Sequence, residues 1–348
     1  MTTFGAIRWD ATYAEVGDAE TNMENNLSPA EFQLRAPFWA RSVATNLVRF
    51  DSSRATMEAE IERAVEAGID YWAFLLYNRS IGENPTSMMN GYDLFQQAGN
   101  KGDINWCMIR QSNDWGSTGN YAAKVAEAVA QVQQSNDQKV LTNRPLVFGF
   151  NANDGRTDYW GGSFVNFKAA IDAFRAAVQV AGLGNPYVVA MSSESAALAG
   201  TDKTGIGADA AAMYSVSIQT TLTQPFSTLQ TYVTGTSRPN LVTAATKIIP
   251  TVVGGSDRRP RIKRPVYWEA ASQRPFFGLN RYTVPPTPSE MQAAVEDALT
   301  YVASNPSTCE ADTVICYAWN EFDEGGYLCP TLGDPAGALL DAVAAALA

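Results

Sequence analysis

Eight short apolar runs, separated by stretches of helical period, constrain this chain more than any other feature. They are 4–10 (FGAIRWD), 69–77 (IDYWAFLLY), 104–110 (INWCMIR) and 145–151 (PLVFGFN), then 186–192 (PYVVAMS), 211–217 (AAMYSVS), 247–253 (KIIPTVV) and 313–320 (TVICYAWN). Several are apolar throughout rather than alternating, the pattern of parallel strands covered on both faces. The helices between them carry readable ends. Thr56 reads as an N-cap followed by Glu58 and Glu60 in the first turn, where acids suit the helix dipole. Thr287 and Glu290 form a capping box around Pro288, and Asp334–Pro335 opens a final Ala/Leu-rich helix. Strand and helix alternating along one continuous chain predict an α/β fold, a (β/α)8 TIM barrel in a single domain, residues 1–348. The rival is an open doubly wound sheet, but no GxGxxG or GxxxxGK[ST] joins a strand to a helix. Two loops exceed ordinary connectors, 11–55 and 254–286, and both follow strands on the side where barrels build their sites.

The chain contains no histidine. That excludes Ser-His-Asp and Cys-His catalysis and imidazole-built zinc sites, so proton transfer falls to carboxylates, tyrosine, lysine or cysteine. The four cysteines form no CxxC pair. Cys309 and Cys316 could close a short loop as a disulfide, whereas Cys107, inside an apolar run, reads as a buried thiol. A formal charge of −11 argues against nucleic acid or an anionic membrane as partner, with DRRPRIKR (257–264) the one basic stretch. No apolar run approaches the 18 or so residues of a membrane span. The opening MTTFGAIRWDATY lacks the basic and apolar regions of a signal peptide. No cofactor fingerprint and no metal-ligating motif is legible, so none is expected.

The residues just past the strands are rich in flat aromatics, amides, carboxylates and arginines. Trp9 and Asp10 follow the first strand, Tyr77 the second, and Arg110, Asn113, Asp114 and Trp115 the third. Asp257, Arg261 and Trp268 follow the seventh, and Asn320, Glu321, Glu324 and Tyr327 the eighth. Such a set suits a sugar, whose ring faces stack on aromatics and whose hydroxyls pair with bidentate polar groups. Trp72 and Trp106, inside strands, are expected in the core.

In YAWNEFDEGGYLCP (317–330) an apolar strand ends on three acids. If 320–325 forms one turn, Glu321 and Glu324 share a face at i and i+3, with Asp323 pointing elsewhere as a structural or solvent-facing residue. Two carboxylates on one wall split their pKa values, leaving one protonated as acid and one ionised as base. Gly325–Gly326 would let the backbone turn away and leave room for substrate.

WNEFDEGGYLCP (319–330) resembles the W-N-E-W-x-E-G-x-Y-L-x-P signature of the WbsX-like, glycoside hydrolase family 99-like proteins. That group is related to the family 71 α-glucanases and family 99 endo-α-mannosidases. AGIDYWAFLLYN (67–78), WCMIRQSNDW (106–115), NRPLVFGF (143–150) and IPTVVGGSDRRPR (249–261) resemble further segments of that family in the same order. Phe322 replaces the usual Trp, Ser112 an Ala, Asp114 a Glu, and Cys329 stands where a carboxylate is common. The resemblance implies a glycan-acting (β/α)8 barrel in which Glu321 is the base assisting the 2-hydroxyl and Glu324 the acid/base at the glycosidic oxygen. It also implies retention through a 1,2-anhydro sugar. The expectation is a glycoside hydrolase, endo-acting on a polysaccharide. Its predicted contacts are Asp10, Arg110, Asn113, Asp114, Asp257, Arg261, Asn320 and Tyr327, with Trp9, Tyr77, Trp115 and Trp268 as platforms. Two alternatives stand beside it: a glycosyltransferase of polysaccharide biosynthesis, using the 258–264 arginines on a diphosphate, and a non-catalytic carbohydrate-binding protein.

Overall fold

The computed structural model of the chain describes all residues except 15–18, 78–85, 154–155, 194, 219–221 and 267–277. Trp268 therefore lies outside the described residues. Eight parallel strands form the centre: β1 (Thr3–Arg8), β2 (Tyr71–Leu76), β3 (Asn105–Gln111), β4 (Arg144–Phe150), β5 (Tyr187–Ser192), β6 (Ala210–Met213), β7 (Thr251–Val253) and β8 (Thr313–Tyr317). Each of β1 to β5 pairs with the next main strand in parallel, and β8 pairs with both β7 and β1, Thr3 lying opposite Thr313. The remaining seam, β6 to β7, is joined by a bridge at Ala211 and Ile248 and by the Thr251 hydroxyl donating to the Met213 carbonyl at 2.7 Å. Pro250 has no N–H for a ladder, so the run expected at 247–253 yields a strand of three residues. The result is a nearly closed (β/α)8 barrel.

The outer ring is α1 (Arg54–Glu66), α2 (Asn90–Gln97), α3 (Ala122–Val132), α4 (Phe164–Val180), α5 (Ala196–Ile206), α6, α7 (Pro288–Ser304) and α8 (Ala338–Leu347). Helix α6 runs Phe226–Tyr232, passes through a π-helical turn at Val233–Ser237, and continues as Arg238–Ala245. Two expected starts move. The α1 cap is Ser53, not Thr56: the Ser53 hydroxyl accepts from the Thr56 amide at 3.2 Å, and the Thr56 hydroxyl accepts from the Ser53 amide at 2.8 Å. Helix α8 begins four residues beyond Asp334, whose carboxylate accepts from the Gly337 and Ala338 amides at 3.1 and 2.6 Å. The α7 capping box forms as predicted, with Glu290 Oε2 accepting from the Thr287 amide at 2.9 Å. Thr287→Ala should therefore lower stability by about 1 kcal/mol, measured as a shift in the urea midpoint at constant slope.

Trp72 and Trp106 are neighbours in register and fully buried, their rings packed with Phe74 and Phe95, the latter on α2. One residue before Trp72 in the same strand, Tyr71 occupies the space beside Gly5, where any Cβ would fall 2.2 Å from its ring. The four cysteines are buried free thiols. Cys316 is held mid-strand opposite Ala6 and Val252, while Cys309 sits in the turn before β8. The intervening extended strand, at about 3.3 Å per residue, carries the two apart, so the considered disulfide does not form. No helix among the described residues is long and apolar enough to cross a membrane.

Candidate active site

Strand β8 delivers the acidic cluster on a small hairpin. Asn320–Glu321 pairs antiparallel with Gly326–Tyr327, and the turn between them closes with the Glu324 amide donating to the Glu321 carbonyl at 3.2 Å. The two glycines let the backbone turn as expected, and the protein's own packing leaves no room for a side chain at either. A Cβ on Gly326 would lie 2.4 Å from the Tyr317 ring. Gly325, at φ 81°, adopts a left-handed conformation and presses against Asp257, with its own Cβ position 2.7 Å from the Asp257 amide.

Glu321 is buried and Glu324 half-buried, in different surroundings. Glu321 Oε1 accepts from the Tyr214 hydroxyl at 2.8 Å. Its Oε2 has no hydrogen-bond partner among the described residues and stands 3.9 Å from Arg261 Nη2. Burial pushes the Glu321 carboxyl well above the usual carboxylate range, and the charges of Glu324 and Asp323 push the same way. Arg261 and the Tyr214 hydroxyl oppose this without reversing it. Glu324 goes the other way. Burial tends to raise it, but Arg258 and Arg261 together with the Tyr317 hydroxyl hold it below the usual range. Its Oε2 accepts from Tyr317 at 2.8 Å and meets Arg258 Nη2 at 2.5 Å, and its Oε1 pairs with Arg261. The pair is thus split as expected. The direction of the split favours the protonated form of Glu321 and the ionised form of Glu324, whereas the roles implied by resemblance leave Glu321 ionised.

Asp323 is not solvent-facing. It is fully buried and holds Arg261 through two bonds, Nε to Oδ2 at 2.8 Å and Nη2 to Oδ1 at 3.1 Å, while Asn26 donates to Oδ2 at 2.8 Å. Asp323 thereby aims the Arg261 guanidinium at the glutamates. The guanidinium also lies 5.2 Å over the Trp9 ring, and Trp9 Nε1 donates to the Tyr77 hydroxyl at 2.7 Å. Trp9, Tyr77 and Arg261 therefore border the acid pair, and Tyr327 joins the rim through its pairing with Asn320 and its ring contact with Phe322.

Several predicted contacts are engaged elsewhere. Asn320 ties the hairpin to β1, accepting from the Trp9 amide at 2.8 Å and donating to Asp10 at 3.1 Å. Asp10 is buried, bonded to Arg8, and closed off by Gly91, where a Cβ would fall 2.3 Å from Oδ2. Asp257 is sequestered between Arg35 and Arg259. Arg110 turns outward to Gln131 and Glu127 of α3, at 2.6 and 3.2 Å, and to the Asp114 carbonyl. Trp115 is wholly buried against Phe174 of α4, so it offers no exposed platform. Asp114 caps its own turn by accepting from the Gln111 amide at 2.9 Å, and Asn113 beside it is half-buried. Arg110 thus carries the right chemistry on the helix-facing side of its strand. The arginines at 258, 259 and 261 all meet carboxylates.

Sequence reasoning missed Tyr214 and Tyr317 as parts of the site, and it read Arg258 as a wall or diphosphate residue rather than as the partner of Glu324. Phe150 of β4, Tyr214 just beyond β6, and Tyr317 of β8 form a row of rings at centroid separations of 4.6 and 5.5 Å. Alternate strands contribute to one layer of a barrel. A hydroxyl-bearing aromatic at the end of β6 was the available signal.

No family model matches the sequence, and no curated protein matches it. Solved structures do resemble the fold. One is described as a glycoside hydrolase-like protein, with 12% identity over 99% of this chain and 94% of the other, at a TM-score of 0.57. Another is the family 99 endo-α-mannosidase of Bacteroides thetaiotaomicron in complex with bis-tris-propane, with 12% identity over 94% and 86% of the two chains, at a TM-score of 0.53. A second structure of that mannosidase has 11% identity over 94% and 87%, at 0.54. The chain has a glycoside hydrolase-like (β/α)8 fold of the kind seen in family 99.

Proposed function

We propose that the protein is a glycoside hydrolase that works through Glu321 and Glu324. The observation that carries this reading is a pair of carboxyls at the end of β8 in opposite surroundings. Glu321 is buried with one oxygen unpaired among the described residues, and Glu324 is held by Arg258, Arg261 and Tyr317, so that their affinities for a proton divide in a chain without histidine. Glycosidic cleavage needs that division: one group to protonate the leaving oxygen, another to take a proton or assist the sugar. The resting electrostatics favour Glu321 as the acid, with Oε2 as the oxygen left to donate, and Glu324 as the base. Tyr77 and Trp9 supply a flat, amphipathic border for a sugar ring. Endo action on a polysaccharide, with retention of configuration, remains part of the proposal on the strength of the motif resemblance. Incubation with a broad glycan panel, followed by mass spectrometry and NMR of the first-formed anomer, tests it. New reducing ends with the anomeric configuration of the substrate are expected.

The pH dependence follows from the two shifts. Activity requires Glu324 ionised and Glu321 protonated, so kcat/KM should be bell-shaped. The acid limb should lie below the usual carboxylate range, where Glu324 gains its proton, and the alkaline limb above it, where Glu321 loses its proton. The Tyr214 hydroxyl favours ionised Glu321, so Tyr214→Phe should move the alkaline limb to higher pH and leave the acid limb in place.

One observation favours a non-catalytic carbohydrate-binding protein instead: both oxygens of Glu324 are already occupied by Arg258, Arg261 and Tyr317. Glycan binding without release of reducing ends would select that reading.

A further inference from the structure

The long excursion after β1 carries neither glutamate, yet one of its residues reaches the groups that hold them. Asn26 sits in the last turn of the helix Ala19–Leu27, 1% exposed, and donates from Nδ2 to Asp323 Oδ2 at 2.8 Å. The same oxygen accepts from Arg261 Nε at 2.8 Å, so Asp323 is gripped from two sides. Arg261 then pairs with Glu324 through Nη1 and stands 3.9 Å from Glu321 through Nη2. Asn26, Asp323 and Arg261 thus form one continuous line from the excursion to both glutamates.

The backbone around Asn26 is anchored at several points. The Ser28 hydroxyl donates to the Glu24 carbonyl at 2.6 Å and accepts from the Val48 amide at 3.1 Å, and Glu24 accepts from the Phe50 amide at 2.7 Å. The Asn25 carbonyl accepts from Arg264 at 2.9 Å, just beyond the short helix Arg259–Lys263 that carries Arg261. The residue type fits the position. An amide gives the carboxylate oxygen a second donor without adding charge, whereas a cation there would compete with Arg261 for Asp323. A guanidinium on a long stem has many rotamers to lose, and a carboxylate fixed on its far side selects one.

We infer that Asn26 is a positioning residue for the acid pair, holding Asp323 so that it presents the Arg261 guanidinium to both glutamates. The inference deepens the hydrolase reading, on which its kinetic test rests. Facing the pair are Arg258 and Tyr317 beside Glu324, Tyr214 beside Glu321, then Asp323 and Arg261, with Tyr77 nearby. Among these groups Arg261 is the cation that lowers both carboxyls. Loosening it should raise both, so the acid and alkaline limbs should move together to higher pH. Tyr214→Phe moves the alkaline limb alone, and a merely structural defect would lower kcat with both limbs in place.

The test compares wild type with Asn26→Leu, which removes the donor at nearly constant volume, and with Asn26→Ala, which adds no bulk. Two readouts are taken: the pH profile of kcat/KM on a cleaved glycan, and the infrared titration of the Glu321 and Glu324 carboxyl bands without substrate. In variants whose thermal midpoints show that they fold, both limbs and both titrations are expected to shift to higher pH. In an Arg261→Lys background, which lacks the fork that Asp323 grips, the same Asn26 substitutions should add no further shift. Limbs and bands that stay at the wild-type pH in a folded variant would overturn the inference, as would an equal shift that persists in Arg261→Lys. Loss of the fold in both variants would also overturn it, as the mark of a structural residue. Shifted carboxyl bands in a protein that cleaves no glycan would keep Asn26 in its role while rejecting the hydrolase reading.

Discussion

Replacing either member of the acid pair with its amide should lower kcat on a cleaved glycan by about 10²–10⁴-fold, the range for loss of a general acid or base. Glutamine keeps the shape of the side chain and removes its titration, so binding should persist. The two variants should differ in their pH profiles. Glu321→Gln removes the group whose carboxyl is raised by burial and by its acidic neighbours, so the alkaline limb should vanish. Glu324→Gln removes the ionised group held by Arg258, Arg261 and Tyr317, so the acid limb should vanish. The double variant should be little slower than either single one, because the two act as a unit. Full activity in either single variant would contradict the account.

The second large effect lies below the site. Glu60 of α1 accepts four bonds: from Arg8 at 2.7 Å, Tyr13 at 2.9 Å, Trp39 at 2.7 Å and Trp319 at 2.6 Å. Arg8 is wholly buried, lies 4.2 Å over the Trp72 ring and also pairs with Asp10. Glu60→Ala would remove one of the two carboxylates that hold the buried Arg8 guanidinium and leave three further donors without this acceptor. Removing one partner of a buried pair in this way costs about 3–5 kcal/mol. The urea midpoint should fall accordingly, and an unchanged midpoint would contradict the assignment. Because Trp319 directly precedes Asn320 and Glu321, loosening it should also lower activity in protein that remains folded. This residue links the stability of the barrel to the placement of its acids.

The barrel was legible because eight buried parallel strands leave continuous apolar runs, and because capping residues such as Thr287 and Glu290 mark helix starts locally. The acid pair was legible for a similar reason: Trp319, Asn320 and the two glutamates stand together at a strand end. What could not be read was the direction in which each side chain points. Arg110 is at a strand end yet faces α3, since a shift of one residue exchanges the faces of a strand, and Trp115, in the turn beyond, packs on α4. Asp10 and Asn320 look like sugar ligands in composition but are consumed in tying β1 to β8. The division of the proton depends on contacts across the mouth. Tyr214 is 107 residues from Glu321 and Arg261 is 63 residues from Glu324, so no local pattern encodes which acid is neutralised.

The central claim is that one proton is kept on Glu321 while Glu324 stays ionised, and infrared difference spectroscopy of the carboxyl stretch reads this directly. Spectra of wild type at neutral pH, minus those of Glu321→Gln and of Glu324→Gln, separate the two groups from other buried acids. The account predicts a protonated-carboxyl band that is lost in Glu321→Gln and retained in Glu324→Gln. A band lost only in Glu324→Gln, or no such band in wild type, would contradict it.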